Sequence, residues 1–191
     1  MTDMVTDDTT AGAVVHNPAS GETIVIRRTA EQTGGSLLVW DLRLAPGGSV
    51  PSGHVHPEQE ERFTVLEGSL RFRFGRRTVV ARPGQAVVVP PGTAHRFSNP
   101  GSSEVLARVE TRPALQMEQL LRTAAGLTDG RRGLLRSLPR PVDLVLFMRD
   151  FRDEVRAPHL PVRPLRAVVG VLARGAERAG FDRRYRRIRA R

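Results

Sequence analysis

The sequence predicts a domain of short β-strands followed by an α-helical C-terminal extension. From about residue 12 to residue 112, runs of β-branched or alternating apolar residues are separated by glycine and proline, and no helical pattern intervenes. Such a chain typically folds as a β-sandwich or a β-barrel. After residue 112 the apolar residues recur at helical spacing instead. We therefore predict an all-β domain with N-terminal strands at residues 1–112 and a helical extension at residues 113–191.

The strands of the first region follow from alternation along the chain. It is clearest at residues 69–75, where Leu70 and Phe72 oppose Arg71 and Arg73. Successive side chains of a strand point to opposite faces, so this segment has one apolar face and one charged face. The predicted strands span residues 22–28, 37–48, 69–75, 85–92, 94–99 and 104–112.

One strong apolar stripe marks the helical extension. It consists of Leu144, Phe147, Met148, Phe151 and Val155. This spacing predicts an amphipathic helix. The same pattern predicts a second helix from residue 165 to about residue 180 and a weaker one at residues 115–121. The tail, residues 181–191, is a basic cluster whose composition permits disorder.

The charge of the protein belongs to the extension. All 30 basic residues are arginine, and the formal net charge is +10. Residues 1–112 carry equal numbers of arginine and acidic residues, so residues 113–191 hold the whole excess. A high isoelectric point therefore does not make the whole chain a nucleic-acid binder.

Composition also excludes several classes of function. The chain has no cysteine, which excludes disulfides, thiolate zinc sites and cysteine nucleophiles, and no lysine, which excludes Schiff-base chemistry. No apolar run reaches 18 residues, and the acidic N-terminus lacks the pattern of a secretory signal. We expect a cytoplasmic protein.

The arginine-rich helices allow two interpretations. They can present solvated faces while they pack against the barrel or across a dimer, or they can bind an anionic surface. Nucleic acid is not expected, because no helix-turn-helix pattern precedes the β-region and aromatic residues are not interleaved with the arginines. Contact with an anionic membrane surface stays open.

Two histidines open the stretch HVHPEQEERFTVLEG, residues 54–68. His54 and His56 are two residues apart, so on a strand both side chains face the same way. Neutral imidazoles bind iron, manganese, copper, nickel or zinc. A third histidine, His95, follows a Pro-Pro-Gly turn that can aim a short strand inward. The alternative is a polar loop without a ligand.

Three glutamates, at positions 58, 60 and 61, could complete a metal site. If Glu61 points inward, Phe63 also points inward and Arg62 points outward. If Glu60 points inward, Arg62 is inside and Phe63 is outside. The first register buries the apolar residues, so Glu61 is the better candidate.

The spacing of these residues matches two motifs in order. The first reads Gly48, five residues, His54-Val55-His56, four residues, Glu61, six residues, Gly68. The second reads Gly84, five residues, Pro90-Pro91-Gly92, two residues, His95, three residues, Asn99. Over about residues 20–112 the sequence resembles the cupin superfamily, whose motifs are G(X)5HXH(X)3–4E(X)6G and G(X)5PXG(X)2H(X)3N.

This resemblance implies a jelly-roll β-barrel, here with an α-helical C-terminal extension, and a homodimer. It also implies one divalent transition metal ion (Fe, Mn, Ni, Cu or Zn) held by His54, His56, Glu61 and His95. Similarity to quercetinase-like cupins implies that Glu61 is catalytic. It would dissociate from the metal when substrate oxygens bind and act as a base. The barrel lacks an inward tyrosine, which argues against dehydratase and epimerase cupins.

The expected function is that of a mononuclear metal-dependent dioxygenase acting on a small organic molecule, with aromatic molecules among the candidates. The alternatives are a metal-dependent isomerase or lyase acting on a sugar or keto acid, and a non-catalytic binding module. Phe63, Phe72 and Phe97 are expected to face the interior, where they either pack the core or line the substrate pocket.

Overall fold

The computed structural model describes residues 12–50, 53–128, 139–158 and 162–190. In these ranges nine strands precede four α-helices. The strands are β1 (Val14–Asn17), β2 (Glu22–Arg28), β3 (Leu38–Leu44), β4 (Glu60–Glu67), β5 (Leu70–Phe74), β6 (Arg77–Ala81), β7 (Ala86–Val89), β8 (Arg96–Ser98) and β9 (Val105–Arg112). The helices are α1 (Met117–Thr128), α2 (Pro141–Asp150), α3 (Val162–Arg178) and α4 (Arg183–Arg189).

The strands form two antiparallel sheets, and the predicted fold class, a cupin-type jelly roll with a helical extension, is confirmed. One sheet has six strands in the order β1-β2-β3-β9-β4-β7, and the other has three in the order β6-β5-β8. Strand β9 lies between β3 and β4, which are distant from it in sequence. This crossing order places β4, which carries Glu61, inside the larger sheet between β9 and the edge strand β7.

Alternation along the strands produces the core. In β3 the alternate residues Leu38, Trp40, Leu42 and Leu44 are buried. In β4 Glu61, Phe63 and Val65 are buried while Arg62 is exposed. The register predicted for β4 from its apolar residues is therefore correct. The sequestered apolar area is the main source of stability for such a barrel.

Some strand limits differ from the prediction. β3 ends at Leu44, because a turn begins at Ala45, and β7 covers only Ala86–Val89. Strand β6 was not predicted, because its residues are mostly exposed and show little apolar alternation. It forms by pairing with β5 across the glycine turn at Gly75.

The predicted stripe helix is shorter than its apolar pattern. α2 ends at Asp150, so Phe151 caps the helix and Val155 lies just after the turn at residues 151–154. The basic tail is ordered in part, in contrast to the disorder that its composition permits. α4 packs against α1, its Tyr185 is buried, and Arg184 pairs with the buried Asp143 of α2.

The segment that follows α2 joins the extension to the barrel. Phe151 is fully buried in the barrel core. Val55 and Arg156 exchange two backbone hydrogen bonds of 2.9 Å, so the segment that follows the turn at residues 151–154 forms an isolated bridge beside the first histidines. Among the described residues, no helix combines the length and the apolar character needed to span a bilayer.

Candidate metal centre

Backbone pairing brings the histidines of the two motifs together. His54 and His95 form an isolated antiparallel bridge, in which each N–H donates to the other carbonyl at 2.9 Å. Gly92, at φ +76°, donates its N–H to the carbonyl of His56 at 2.8 Å. A residue with a side chain is strained at this φ, so the glycine lets the Pro-Pro-Gly turn close against the first histidine pair.

The structure gathers His54, His56, Glu61 and His95 in one cluster. One potential ligand atom from each of the four lies within 4.8 Å of all the others. Glu61 Oε2 lies 3.4 Å from His56 Nε2 and 3.2 Å from His95 Nε2. His56, Glu61 and His95 are buried, whereas His54 is partly exposed and forms the edge of the cluster. Glu58 and Glu60, the other two candidates, are outside it.

The charge state of Glu61 suits a ligand. Burial raises the pKa of its carboxyl group, but the imidazoles of His56 and His95 more than offset this effect and hold the pKa at about 2. The carboxylate is therefore ionised throughout the neutral range. A buried anion is costly unless positive charge lies beside it.

Two further contacts orient the histidine rings. His56 Nδ1 lies 2.6 Å from the carbonyl oxygen of Glu154, and His95 Nδ1 lies 3.1 Å from that of Thr93. A carbonyl only accepts, so each Nδ1 carries a hydrogen, and in the neutral imidazole, the form that binds a metal, each Nε2 then presents a lone pair. Carbonyl partners of this kind are typical of histidines that bind metals.

Two buried atoms of the cluster lack hydrogen-bond partners in the described part of the chain, which indicates that the cluster can hold a cation. Glu61 Oε2 and His95 Nε2 are buried and have no hydrogen-bond partner among the described residues, although they lie 3.2 Å apart. Two acceptors that face each other are satisfied by a positive ion between them. Imidazole nitrogens and a carboxylate oxygen are the donor types that hold such an ion. The four side chains therefore fit one transition metal ion.

The comparisons with known proteins agree with this geometry. A family model described as the cupin domain matches residues 40–108. The chain belongs to the cupin superfamily. The matched residues include His54, His56, Glu61 and His95, so the four members of the cluster lie within the cupin domain.

Several known proteins are similar to parts of this cupin. Protein YdbB of Bacillus subtilis (strain 168) is 38% identical over 56 residues, which cover 29% of this chain and 50% of that protein. The chain thus spans half the length of this curated relative. The crystal structure of TT1209 from Thermus thermophilus is 30% identical, with 41% of this chain and 74% of that chain covered and a TM-score of 0.39. A sugar phosphate isomerase from Silicibacter pomeroyi is 24% identical, with 56% and 72% covered and a TM-score of 0.45.

The three phenylalanines of the cupin barrel pack with one another. Phe63 and Phe72 are fully buried and Phe97 is 4% exposed. Their ring centroids lie 5.1–6.1 Å apart in tilted or edge-on arrangements. The structure therefore favours core packing, the first of the two roles expected for them, because their surfaces are covered by other core side chains.

A cavity of about 700 Å³ lies elsewhere, between the metal centre and the helical extension. We call it the extension cavity. His54 and Gly53 form its barrel side, and α2, α3 and residues 152–158 form the rest. Sequence reasoning missed it, since the apolar stripes predict two helices but not a space between them. The Glu154 carbonyl was also missed, because a backbone oxygen has no sequence signature.

Proposed function

We propose that this cupin is a mononuclear metal-dependent dioxygenase acting on a small organic molecule. The supporting observation is the buried cluster of three imidazoles and one ionised carboxylate, in which two acceptor atoms lack partners among the described residues. His54, His56, Glu61 and His95 would hold one ion of Fe, Mn, Ni, Cu or Zn. When bound, such an ion supplies open coordination positions for the oxygen atoms of substrate or for dioxygen.

The protein's own residues prepare the site. The Glu154 and Thr93 carbonyls fix the rings of His56 and His95, so both Nε2 lone pairs point to one position. Glu61 supplies negative charge there and is the candidate base that takes a proton from the substrate. Burial of His56, Glu61 and His95 keeps bulk water away from these three side chains.

The ionised Glu61 also suits a second candidate function. A metal-dependent isomerase or lyase needs a fixed carboxylate that moves a proton on a sugar or keto acid. In such enzymes the metal polarises an oxygen atom of the substrate. Consumption of dioxygen separates the two candidates. A non-catalytic binding module would turn over neither kind of substrate.

The assembly and partners of the protein stay predictions. A homodimer formed through the barrel is the expectation from the family, and the outer face of α3 carries exposed arginine and apolar residues that suit an anionic membrane surface. Nucleic acid is not proposed as a partner.

Metal analysis tests the proposed function first. We expect the purified chain to hold about one transition metal ion per molecule. Glu61→Ala and His95→Ala should lower this content, and the metal-loaded wild type should consume dioxygen with a panel of small organic acids and phenols. Glu60→Ala is the matched control, because this neighbouring glutamate lies outside the cluster and pairs in register with Arg112. Absence of metal after reconstitution with each ion would overturn the proposal.

A further inference from the structure

The extension cavity is lined by apolar residues of α2 and α3, which pack together through Leu146 and Ala173 but leave a space beside that contact. Leu144, Phe147 and Met148 of α2 and Leu165 and Val169 of α3 all line it. Leu144 is 41% exposed, and Phe147 and Met148 are only partly buried. A cavity of about 700 Å³ is within the range of about 300–1,000 Å³ typical of small-molecule sites. Its walls suit an apolar molecular body.

The same cavity has an excess of positive charge. Its lining contains five arginines and His54 but, among the described residues, no acidic one. Three of these arginines, Arg152, Arg156 and Arg166, share the single carboxylate of Asp153, at distances of 3.4, 4.0 and 2.8 Å. One carboxylate cannot balance three guanidinium groups, so an anionic ligand is favoured here.

Arg149, another of the five, is already neutralised. It pairs with Asp150 at 2.8 Å and with Glu177 at 2.7 Å. The last, Arg174, has no ion pair within the described part of the chain. Arg166 and Arg174 are therefore the cavity arginines of α3 that can turn toward a ligand without leaving a buried carboxylate unpaired.

A glycine separates these two arginines on the same face of the helix. Arg166, Gly170 and Arg174 are four residues apart in turn, and all three line the cavity. Glycine inside a helix costs about 1 kcal/mol relative to alanine. A Cβ at Gly170 would meet only Arg174 Nη1, at 3.5 Å, so packing does not demand the glycine. The gap that it leaves gives a ligand room between two guanidinium groups.

We propose that the extension cavity binds a soluble monocarboxylic acid with an apolar body, whose carboxylate is held by Arg166 and Arg174 beside Gly170. A guanidinium fork matches the planar geometry of a carboxylate. The assignment of this acid as the substrate rests on the proposed function, because the cavity reaches the metal centre only through His54, which both share. Binding of the acid does not depend on it.

Calorimetric titration with decanoate tests the proposal on the full, metal-loaded chain, with decanol as the uncharged probe. We expect decanoate to bind once per chain and decanol to bind at least about tenfold more weakly, since a charge-assisted contact strengthens binding by this factor or more. Decanol binding as tightly as decanoate would overturn the proposal, as would a failure of decanoate to bind.

Two glycine variants of α3 form a matched pair. Gly170→Leu fills the gap and should weaken decanoate binding at least tenfold, although it strengthens the helix. Gly175→Leu makes the same change in the same helix at an exposed position with no atom within 4 Å, and it should leave binding unchanged. A purely structural role of Gly170 predicts equal behaviour of the two variants, and that result would overturn the proposal.

Two double arginine variants separate local contacts from net charge. Arg166→Gln/Arg174→Gln should weaken decanoate binding at least tenfold. Arg163→Gln/Arg178→Gln removes the same charge from exposed positions of α3 outside the cavity and should not. Equal loss in both would overturn the proposal. So would binding of phosphatidylglycerol vesicles without binding of decanoate, which would assign these arginines to a membrane surface instead.

The His95→Ala variant distinguishes failure of this inference from failure of the proposed function. It should lose metal and keep decanoate binding within about threefold, because His95 does not line the cavity. Decanoate binding to a chain that never holds metal would leave the cavity assignment standing and overturn the dioxygenase. Oxygen consumption with other molecules, without decanoate binding, would support the dioxygenase and overturn the cavity assignment.

Discussion

Glu22 is partly buried and Glu61 is buried, and their surroundings move their pKa values in opposite directions. Burial raises the pKa of each. At Glu61 the neighbouring imidazoles outweigh burial, and the pKa falls to about 2. At Glu22 the hydrogen bonds from Ser20 and Asn17 are too weak to do so, and the charge of Glu61 adds to the effect of burial, so the pKa stays raised.

The raised pKa of Glu22 makes stability depend on pH. The folded state binds a proton at Glu22 more tightly than the unfolded state does, so this group's contribution is fully present below the unfolded pKa of about 4.3. It is lost as the pH rises through the higher folded pKa. We therefore expect the stability of Glu22→Gln relative to wild type to increase as the pH rises above the unfolded pKa of about 4.3.

Urea unfolding of both proteins across this range measures the difference in free energy of unfolding. Glu31→Gln is the control, because Glu31 is exposed and its variant should track the wild type at every pH. A constant difference between Glu22→Gln and wild type would contradict the raised pKa.

Single residues differ in how far sequence alone could place them. Alternation selected Glu61 over Glu60, because a β-strand that buries Phe63 must bury Glu61 as well. The cluster of four was predictable because its members occupy the ligand positions of two spaced motifs. The carbonyl of Glu154 was not predictable, because any residue at that position presents the same oxygen to His56.

Phe151 is the residue through which helix α2 is anchored to the barrel. Its ring is fully buried, lies 4.9 Å from that of Phe147 and has the guanidinium of Arg189 at 5.3 Å from its centroid. It belongs to the same core cluster as the barrel strands. It therefore carries contacts of α2, α4 and the barrel at once.

We expect Phe151→Ala to lower the free energy of unfolding by about 3–5 kcal/mol, the usual cost of removing a buried phenylalanine. It should also weaken metal binding, because the segment that carries the Glu154 carbonyl starts at this residue. Thermal unfolding and metal titration measure the two effects. Phe181→Ala, at a 66% exposed position, is the control and should change neither. Unaltered metal affinity in Phe151→Ala would show that the segment stays in place without its anchor.

At the level of elements, the apolar stripes predicted helices correctly but not what their faces contact. Leu144 and Met148 share the periodicity of a core-facing stripe, yet they line a cavity. Periodicity reports which residues are apolar on one side of a helix, and a packed neighbour and a ligand site demand the same side chains. Strand β6 shows the converse case, since tertiary pairing with β5 formed a strand that the pattern did not indicate.

The barrel and its extension work as a single unit in the described structure. β9 ends at Arg112, where the sequence places the division into two regions, but the Val55–Arg156 bridge and the contact of His56 with Glu154 cross that division. The candidate metal centre is therefore completed by a part of the chain that follows the cupin domain.

A chain shortened to residues 1–128 tests this dependence. It keeps the barrel and α1 but lacks Glu154, so we expect metal affinity to fall about 10–100-fold, the usual effect of losing an outer hydrogen-bond partner. A chain ending at Gly180 retains Glu154 and should keep its affinity within about threefold. Competition with a chelator of known affinity measures both, and equal affinities would contradict the dependence.

The hydrogen bond between His56 and Glu154 has a reciprocal consequence. Thermodynamic linkage requires that whatever docking of residues 151–156 adds to ion binding, ion binding adds to docking. Loading of the metal would thus hold α2 and α3 more tightly against the barrel, and loss of the metal would loosen both. The exposed helices of this cupin would then respond to whether the buried site beneath them is occupied.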